Sequence, residues 1–405
     1  MSRFLFITSL LLATISLRAE SFTLDSAVAY ALKHNPSLVA AKWSIEQARG
    51  RLLQSGRLSN PELEASHQHL DNGQEFSVGI GLVQKFPLTD RLRLEKSVSQ
   101  AELAAAEAEV ATAAWQLTTE IRTAGVKILS LQNNRALKQK LISTNNELIQ
   151  KSRDLAQRAE GSVIETAQLE LEAQQLALAL LQLDAEEAQG LGELRPLLGI
   201  KSTEPLTLTG SLPELPPALP SAIDLEARPD LQAAQARIEA AQQGAELAKA
   251  NRWEDASAGL FTQFQRSEDA PEGLENEGII GLQFSLPIPW WNKNEGKIHE
   301  AEATVSRTKS EAEALRMKLR TEAAAALQEM KAAQRIIAET KNSLLPKAQA
   351  IENQLNQFYR EAQPGAQLSD VLRAREKRLT LEQASIDALR TYHLARIRYE
   401  AATKK

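Results

Sequence analysis

Between Phe76 and Phe86 the chain alternates with period two: Phe76, Val78, Ile80 and Leu82 fall on one face, and Ser77, Gly79 and Gly81 on the other. About 200 residues later the same pattern returns, with Ile280, Leu282, Phe284 and Leu286 set against Gly281, Gln283 and Ser285. Each run predicts a strand with one greasy face and one small or polar face. Each has an upstream partner, Glu62 to Leu70 and Ala256 to Gln265, joined to it through turn-prone segments around Asp71-Asn72-Gly73 and Ala270-Pro271-Glu272-Gly273. The pattern predicts four strands in two hairpins. Pro87 and Pro287 end them, because proline cannot donate to a strand ladder.

After each proline the period changes to seven. Leu103, Val110, Leu117, Ala124 and Leu131 recur in the first copy, and Val305, Ala312, Leu319, Ala326 and Ala333 in the second. The first tract, Arg91 to Ala159, would be about 100 Å long at 1.5 Å per residue, far too long for a small domain. In both copies the phase then slips, resuming at Leu141, Leu148 and Leu155 or at Leu344, Ile351 and Phe358, which predicts a local change of supercoil. Descending helices follow Gly161 and Gly365, with Leu169, Leu176 and Leu183 matching Leu372, Leu379 and Ile386. Each half therefore reads as a helix, a strand hairpin and a long antiparallel helical hairpin. The opening helices match at Asn35-Pro36 and Arg228-Pro229, the first running from about Leu24 to Arg57 and the second from Ala222 to Asn251.

The expected organisation is a first repeat over residues 20–204, with a β-hairpin at 60–88 and a helical hairpin at 91–199. A proline-rich connector at 205–221 would run extended along the outside of the body. The second repeat spans 222–402, with its hairpins at 255–289 and 293–402, and residues 403–405 read as a loose tail. Residues 1–19 carry Arg3, an apolar stretch from Phe4 to Ile15 and Ala19 at a plausible cleavage point, the form of a secretory signal peptide. There are no cysteines, so neither a disulfide framework nor a lipoprotein cut site is available. The net charge of −5 becomes more negative once Arg3 and Arg18 leave with the leader, which argues against a nucleic-acid partner.

An export signal with short two-faced strands points to an outer-membrane β-barrel, since lipid tolerates no unpaired strand edge. Four strands cannot close a barrel, whereas three copies would supply the twelve strands of one larger than the smallest packed barrels of about eight. A β-sandwich tip on a coiled-coil stalk, as in an exported scaffold, fits the strand pattern too. Heptads rich in alanine allow close approach but bury little area per helix, so they require several neighbours, in a tube or a solid bundle.

Taken together, these residues resemble the TolC family of outer-membrane efflux ducts over essentially the whole mature chain. The resemblance rests on the duplicated Asn35-Pro36-Ser37-Leu38 and Arg228-Pro229-Asp230-Leu231, on the strand-ending prolines, and on Gly365 leading into Asp370-Val371-Leu372. The segment Leu286-Pro287-Ile288-Pro289-Trp290-Trp291-Asn292-Lys293-Asn294-Glu295-Gly296 is similar to a signature of the CzcC and CusC branch, which exports heavy-metal cations. The resemblance implies a mainly α protomer with a β-barrel portion. Two β-hairpins per protomer would enter a trimeric twelve-stranded outer-membrane barrel, and the helical hairpins would form a periplasmic tunnel. It also implies a homotrimer docked to a periplasmic adaptor, the membrane fusion protein, and to an inner-membrane RND-type pump. Drug efflux and type I protein secretion use the same fold.

No phosphate loop, zinc-protease motif or nucleophile with a recognisable partner is present, so neither an enzyme nor a cofactor is expected. Val78, Ile80, Leu82, Ile280, Leu282 and Phe284 are expected to face lipid. Asp370 sits where the family carries acidic rings at its periplasmic constriction, and Arg373 is expected to pair with it as part of the gate. Glu160, Gly161 and Ser162, with Gly365 and Ala366, would form the tips where the adaptor docks. His67 and His69 share a strand face but lack a third ligand, and no metal site is assigned to them.

Overall fold

A computed structural model describes residues 20–403, apart from 70–73, 158–161, 214, 216–218, 220–224, 270, 272, 362 and 364–366. The signal segment 1–19, the turn Asp71-Asn72-Gly73 and the tip residues Glu160, Gly161, Gly365 and Ala366 lie outside these residues. Strand β1 (Glu20–Phe22) leads into helices α1 (Leu24–His34) and α2 (Pro36–Gln54), strands β2 (Glu62–His69) and β3 (Phe76–Phe86), and helices α3 (Arg91–Gln157) and α4 (Val163–Leu198). After β4 (Leu206–Leu208) the second half runs α5 (Pro229–Ala250), β5 (Ala256–Asp269), β6 (Gly273–Ser285), α6 (Glu295–Glu339), a π-helical segment Thr340–Leu344, α7 (Leu345–Arg360) and α8 (Leu368–Thr403).

The X-Pro steps act alike in the two halves. Proline suits the first position of a helix, where its missing N–H would have no partner, and the residue before it is pushed out of helical geometry. Asn35 Oδ1 accepts from Leu38 N at 2.9 Å and so caps α2, while Asn35 Nδ2 donates to Leu197 O at 2.9 Å, at the end of α4. In the second half Arg228 holds Asp230 on one side and donates to Ala401 O near the end of α8 on the other. One buried polar side chain thus ties the start of an ascending helix to the end of a descending one, in each repeat.

The two hairpins join into a single antiparallel sheet of order β2-β3-β5-β6, with Phe76 to Phe86 paired residue by residue to Arg266 to Ala256. The second hairpin is longer than the sequence pattern predicted. Strand β6 starts at Gly273, because Glu275 to Gly278 continue the ladder despite their polar composition. The outer edges of β2 and β6 have no strand partner among the described residues.

The helices pack as alternating long and short rods. Leu117, Ile121 and Ile128 of α3 meet Ala27 and Ala31 of α1 and Leu194 and Leu198 of α4 in one core. A second core sets Ala323, Ala326, Met330 and Ala333 of α6 against Tyr392, Ala395 and Tyr399 of α8. The small side chains leave room for the tyrosine rings, so the alanine heptads contribute approach and the aromatics contribute area.

Five expectations change. The connector is not an external strap throughout: Leu206–Leu208 pairs in parallel with β1, and Leu206, Leu208 and Leu212 are buried in the first core. The opening helix of the second half starts only at Pro229, preceded by turn residues. Thr403 is not a loose tail but the buried last residue of α8, its hydroxyl donating to Tyr399 O. The phase slip after Leu131 leaves α3 unbroken, whereas the slip after Ala333 coincides with the π segment just before Pro346, where Leu345 N bonds Thr340 O. An extra residue in one turn absorbs the mismatch of phase. From the last residue of the π segment onward the heptad positions Leu344, Ile351 and Phe358 are exposed, and the inward position of α7 is taken by Glu352.

Asn35→Ala removes both a cap and a buried bond to Leu197 O. The solubilised protein is expected to lose about 1–2 kcal/mol, read as a lower unfolding midpoint, while Asn353→Ala on the exposed face of α7 leaves it unchanged.

Candidate functional site

The sheet has two chemically distinct faces, and the burial pattern gives its curvature. Along β3 Gly79, Gly81 and Val83 are buried, while Val78, Ile80 and Leu82 between them are exposed. Strand β5 repeats this alternation, with Leu260, Thr262 and Phe264 exposed and Phe261, Gln263 and Gln265 partly covered. The sheet therefore curls, concave on the side of the small residues. Register puts Ile80, Thr262 and Ile280 at one level and Leu82, Leu260 and Leu282 at the next, so the expected lipid-facing residues share the convex face with Phe284. His67 and His69 lie on that face as well, ring centroids 6.4 Å apart, and among the described residues no group of three metal-ligating side chains occurs.

The concave face carries Glu62 and Glu64 of β2, Lys85 of β3, Gln263 and Gln265 of β5, and Glu275 and Glu277 of β6. Glu62 accepts from Lys85 Nζ at 2.6 Å. This side continues into the helices. A cleft where sheet meets helices is lined by Lys85, Arg91, Asp255, Asn294 and Lys297, and Arg91 bridges Asp255 at 2.7 Å and Glu95 at 2.6 Å. Further along, one trough touches four helices at once, α2, α3, α5 and α6, which only the concave side of a curved row can do. Its charges are largely paired across helices: Arg51 with Glu102 at 3.4 Å and Arg237 with Glu109 at 2.5 Å. A hydrophilic wall, acidic on its strands and more nearly balanced on its helices, runs along one side of the molecule.

Between Pro289 and α6 the chain turns sharply. Asn292 Oδ1 accepts from Asn294 N at 3.1 Å, and Asn294 takes left-handed backbone (φ 61°), where asparagine is tolerated better than most residues, while its amide donates to Ala248 O at 2.8 Å. The Asn-Lys-Asn part of the signature thus makes a turn that aims α6. Trp290 and Trp291 project from it, Trp291 94% exposed, beside the exposed Leu286 and Ile288.

At the far end of the helical hairpins Asp370 Oδ1 lies 3.7 Å from Arg373 Nη1, an exposed ion pair rather than a hydrogen bond. Ser162 caps α4, its Oγ accepting from Ile164 N at 3.2 Å. Tyr359 of α7 donates to Glu165 of α4 at 3.1 Å, and burial, with the Glu165 charge beside it, pushes its phenol up to about 12. Sequence reasoning missed the group behind Asp370. Arg375 (2% exposed) lies 3.6 Å from Glu352 (4% exposed) and donates to Asn145 Oδ1 at 3.2 Å. Asn145 in turn donates to Leu169 O at 2.9 Å, and Arg378 bonds both Glu352 and Glu382. Helices α3, α4, α7 and α8 meet in this buried polar layer. Close by, burial raises the Glu172 carboxyl above its ordinary range, against the opposing pull of Arg375. A signal was available: Glu352 stands beside Ile351 within an otherwise regular heptad, and only its partners' positions explain it.

A curved two-faced sheet set on a row of long helices, with one continuous hydrophilic concave side, is the protomer fold of outer-membrane channels of the TolC type. The fold matches VceC from Vibrio cholerae with a TM-score of 0.72 at 20% identity, covering 94% of this chain and 95% of that one. It matches CusC with a TM-score of 0.74 at 17% identity, covering 94% and 91%, and the CmeC channel of Campylobacter jejuni with 0.72 at 18% identity, covering 94% and 85%. No curated protein matches the sequence. Residues 223–402 match the family described as Outer membrane efflux protein, and the whole chain has the fold of outer-membrane channels. The matched family and the structural neighbours are outer-membrane channels, consistent with a place in the outer membrane.

Glu352→Ala leaves the buried Arg375 guanidinium without a carboxylate and takes from the half-buried Arg378 one of its two, and is expected to destabilise the chain by about 3–5 kcal/mol, whereas Asp370→Ala at the exposed pair costs under about 1 kcal/mol. Thermal unfolding of the two variants side by side measures the difference.

Proposed function

We propose that three copies of this protein form the outer-membrane duct of a tripartite efflux system, passing substrate from an inner-membrane RND-type pump and its periplasmic adaptor to the outside. The supporting observation is the open sheet: β2 and β6 leave unpaired edges on a curved sheet whose convex face is apolar and whose concave face is polar. In lipid such edges require partners, and the β6 edge of one copy meeting the β2 edge of the next supplies them. The repeats 20–204 and 222–402 then each contribute one strand hairpin and one helical hairpin to the wall, and residues 1–19 direct export. Val78, Ile80, Leu82, Ile280, Leu282 and Phe284 face lipid. Trp290 and Trp291 stand at the strand ends, where aromatic side chains favour the membrane interface.

The cargo in this reading is heavy-metal cations, supported by the similarity of Leu286 to Gly296 to the metal-exporting branch. Transport needs no chemistry from the duct itself. Asp370 and Arg373, at the periplasmic end, form the constriction, and the tips around Ser162, with Glu160, Gly161, Gly365 and Ala366, receive the adaptor. Three Asp370 carboxylates close to a threefold axis repel one another and favour cations, an effect that salt weakens.

Deletion of the gene is expected to sensitise cells to heavy-metal salts and to leave resistance to organic drugs unchanged; the opposite profile assigns the duct to drugs. In planar bilayers the Asp370→Ala trimer is expected to lose cation preference and Arg373→Ala to conduct more than the parent. Unchanged currents in both remove these residues from the constriction.

A further inference from the structure

Phe261 is an aromatic residue on the polar side of the sheet. Register puts it at one level with Glu64, Gly81 and Gly281, and its ring leans across to the neighbouring strand β6. A Cβ placed on Gly281 would lie 2.5 Å from Phe261 Cζ and 2.7 Å from Cε1, so the ring fills the volume that a side chain there would need. On the other flank, a Cβ at Gly81 would come within 3.2 Å of Phe261 Cβ. The glycines are not there for a turn. Gly81 and Gly281 have no left-handed backbone and lie within regular ladders, where glycine weakens a strand unless something approaches it closely. Here the aromatic ring approaches Gly281.

We propose that Phe261, lying against Gly281, sets the free width of the barrel lumen and so the largest solute that the barrel admits from outside. The proposal rests on the trimeric reading above. In a closed barrel this level of the wall holds three such rings, with glycine and Glu64 between them. While the rings lie flat, the lumen keeps nearly the full width of the barrel. A side chain at residue 281 lifts each ring off the wall, and the one open direction is inward. At the next levels of this face stand Gln263 with Ile279, and Gln283 with Val83.

The absence of cysteine provides a reporter. A single Thr308→Cys, in the concave trough of α6 below the sheet, can be labelled on intact cells by maleimide-polyethylene glycols of graded mass added outside, a route independent of the periplasmic end. Adding Gly281→Val is expected to lower the largest reagent admitted by roughly twofold in mass, as three rings swing off a wall they now touch at van der Waals distance. Phe261→Ala in the same background restores the parental cut-off. Gly281→Ala gives a smaller shift in the same direction and serves where valine prevents assembly, which a heat-modifiable trimer band reports for each variant. An unchanged cut-off in assembled Gly281 variants, or a lowered one that Phe261→Ala does not restore, overturns the proposal. If the smallest maleimide fails to label Thr308→Cys in the otherwise unaltered protein, the duct reading itself falls, and this one with it.

Discussion

An unpaired strand edge cannot be left in hydrocarbon, and much of this architecture answers that constraint. Each backbone N–H and C=O of an edge strand costs several kcal/mol without a partner where no water can reach it. Among the described residues two such edges remain, on β2 and β6, and the four strands of that sheet are too few to bring them together. Curvature, the apolar convex face and the small residues of the concave face all follow from a sheet built as a sector of a larger cylinder. The helices obey a softer form of the same rule. A long helix with alanine at its heptad positions buries too little against one neighbour, so each of these packs against several.

The two halves are held to a common geometry by polar residues more than by apolar ones. Asn35 and Arg228 differ in size and charge, yet each reaches a carbonyl at the end of its own repeat's descending helix. Hydrophobic contact is non-directional and would let a long rod slide or rotate; a buried hydrogen bond fixes register. The layer of Asn145, Glu352, Arg375 and Arg378 does this again near the far end of the hairpins, where four helices must keep their order. Apolar residues set how near the helices come, and the buried polar ones set where along their length they meet.

Much of this was legible in the chain. The alternation at Phe76 to Phe86 and at Ile280 to Leu286, the heptads and the repeated X-Pro steps gave the elements, their order and the outward face of the sheet, because each is a local periodicity. The longer reach of β6 was not, since Glu275 to Gly278 have no strand-like composition and are held by their partners on β5. Nor was the fate of Leu206, Leu208 and Leu212, buried because β1 and the helices around it happen to be there. Asp370 and Arg373 were legible as a pair, but their 3.7 Å separation on an open surface was not.

Sequence alone determined the period-two strands, the long heptad tracts and the absence of thiol chemistry, all properties of residues close together along the chain. Tertiary structure alone decided that the hairpins join through β3 and β5, that α7 turns Glu352 inward and Ile351 outward, and that Phe261 lies on Gly281. These depend on pairings between residues that are far apart in the chain or are set by the phase of a whole helix. Periodicity tells which side of an element is buried, but not which surface buries it.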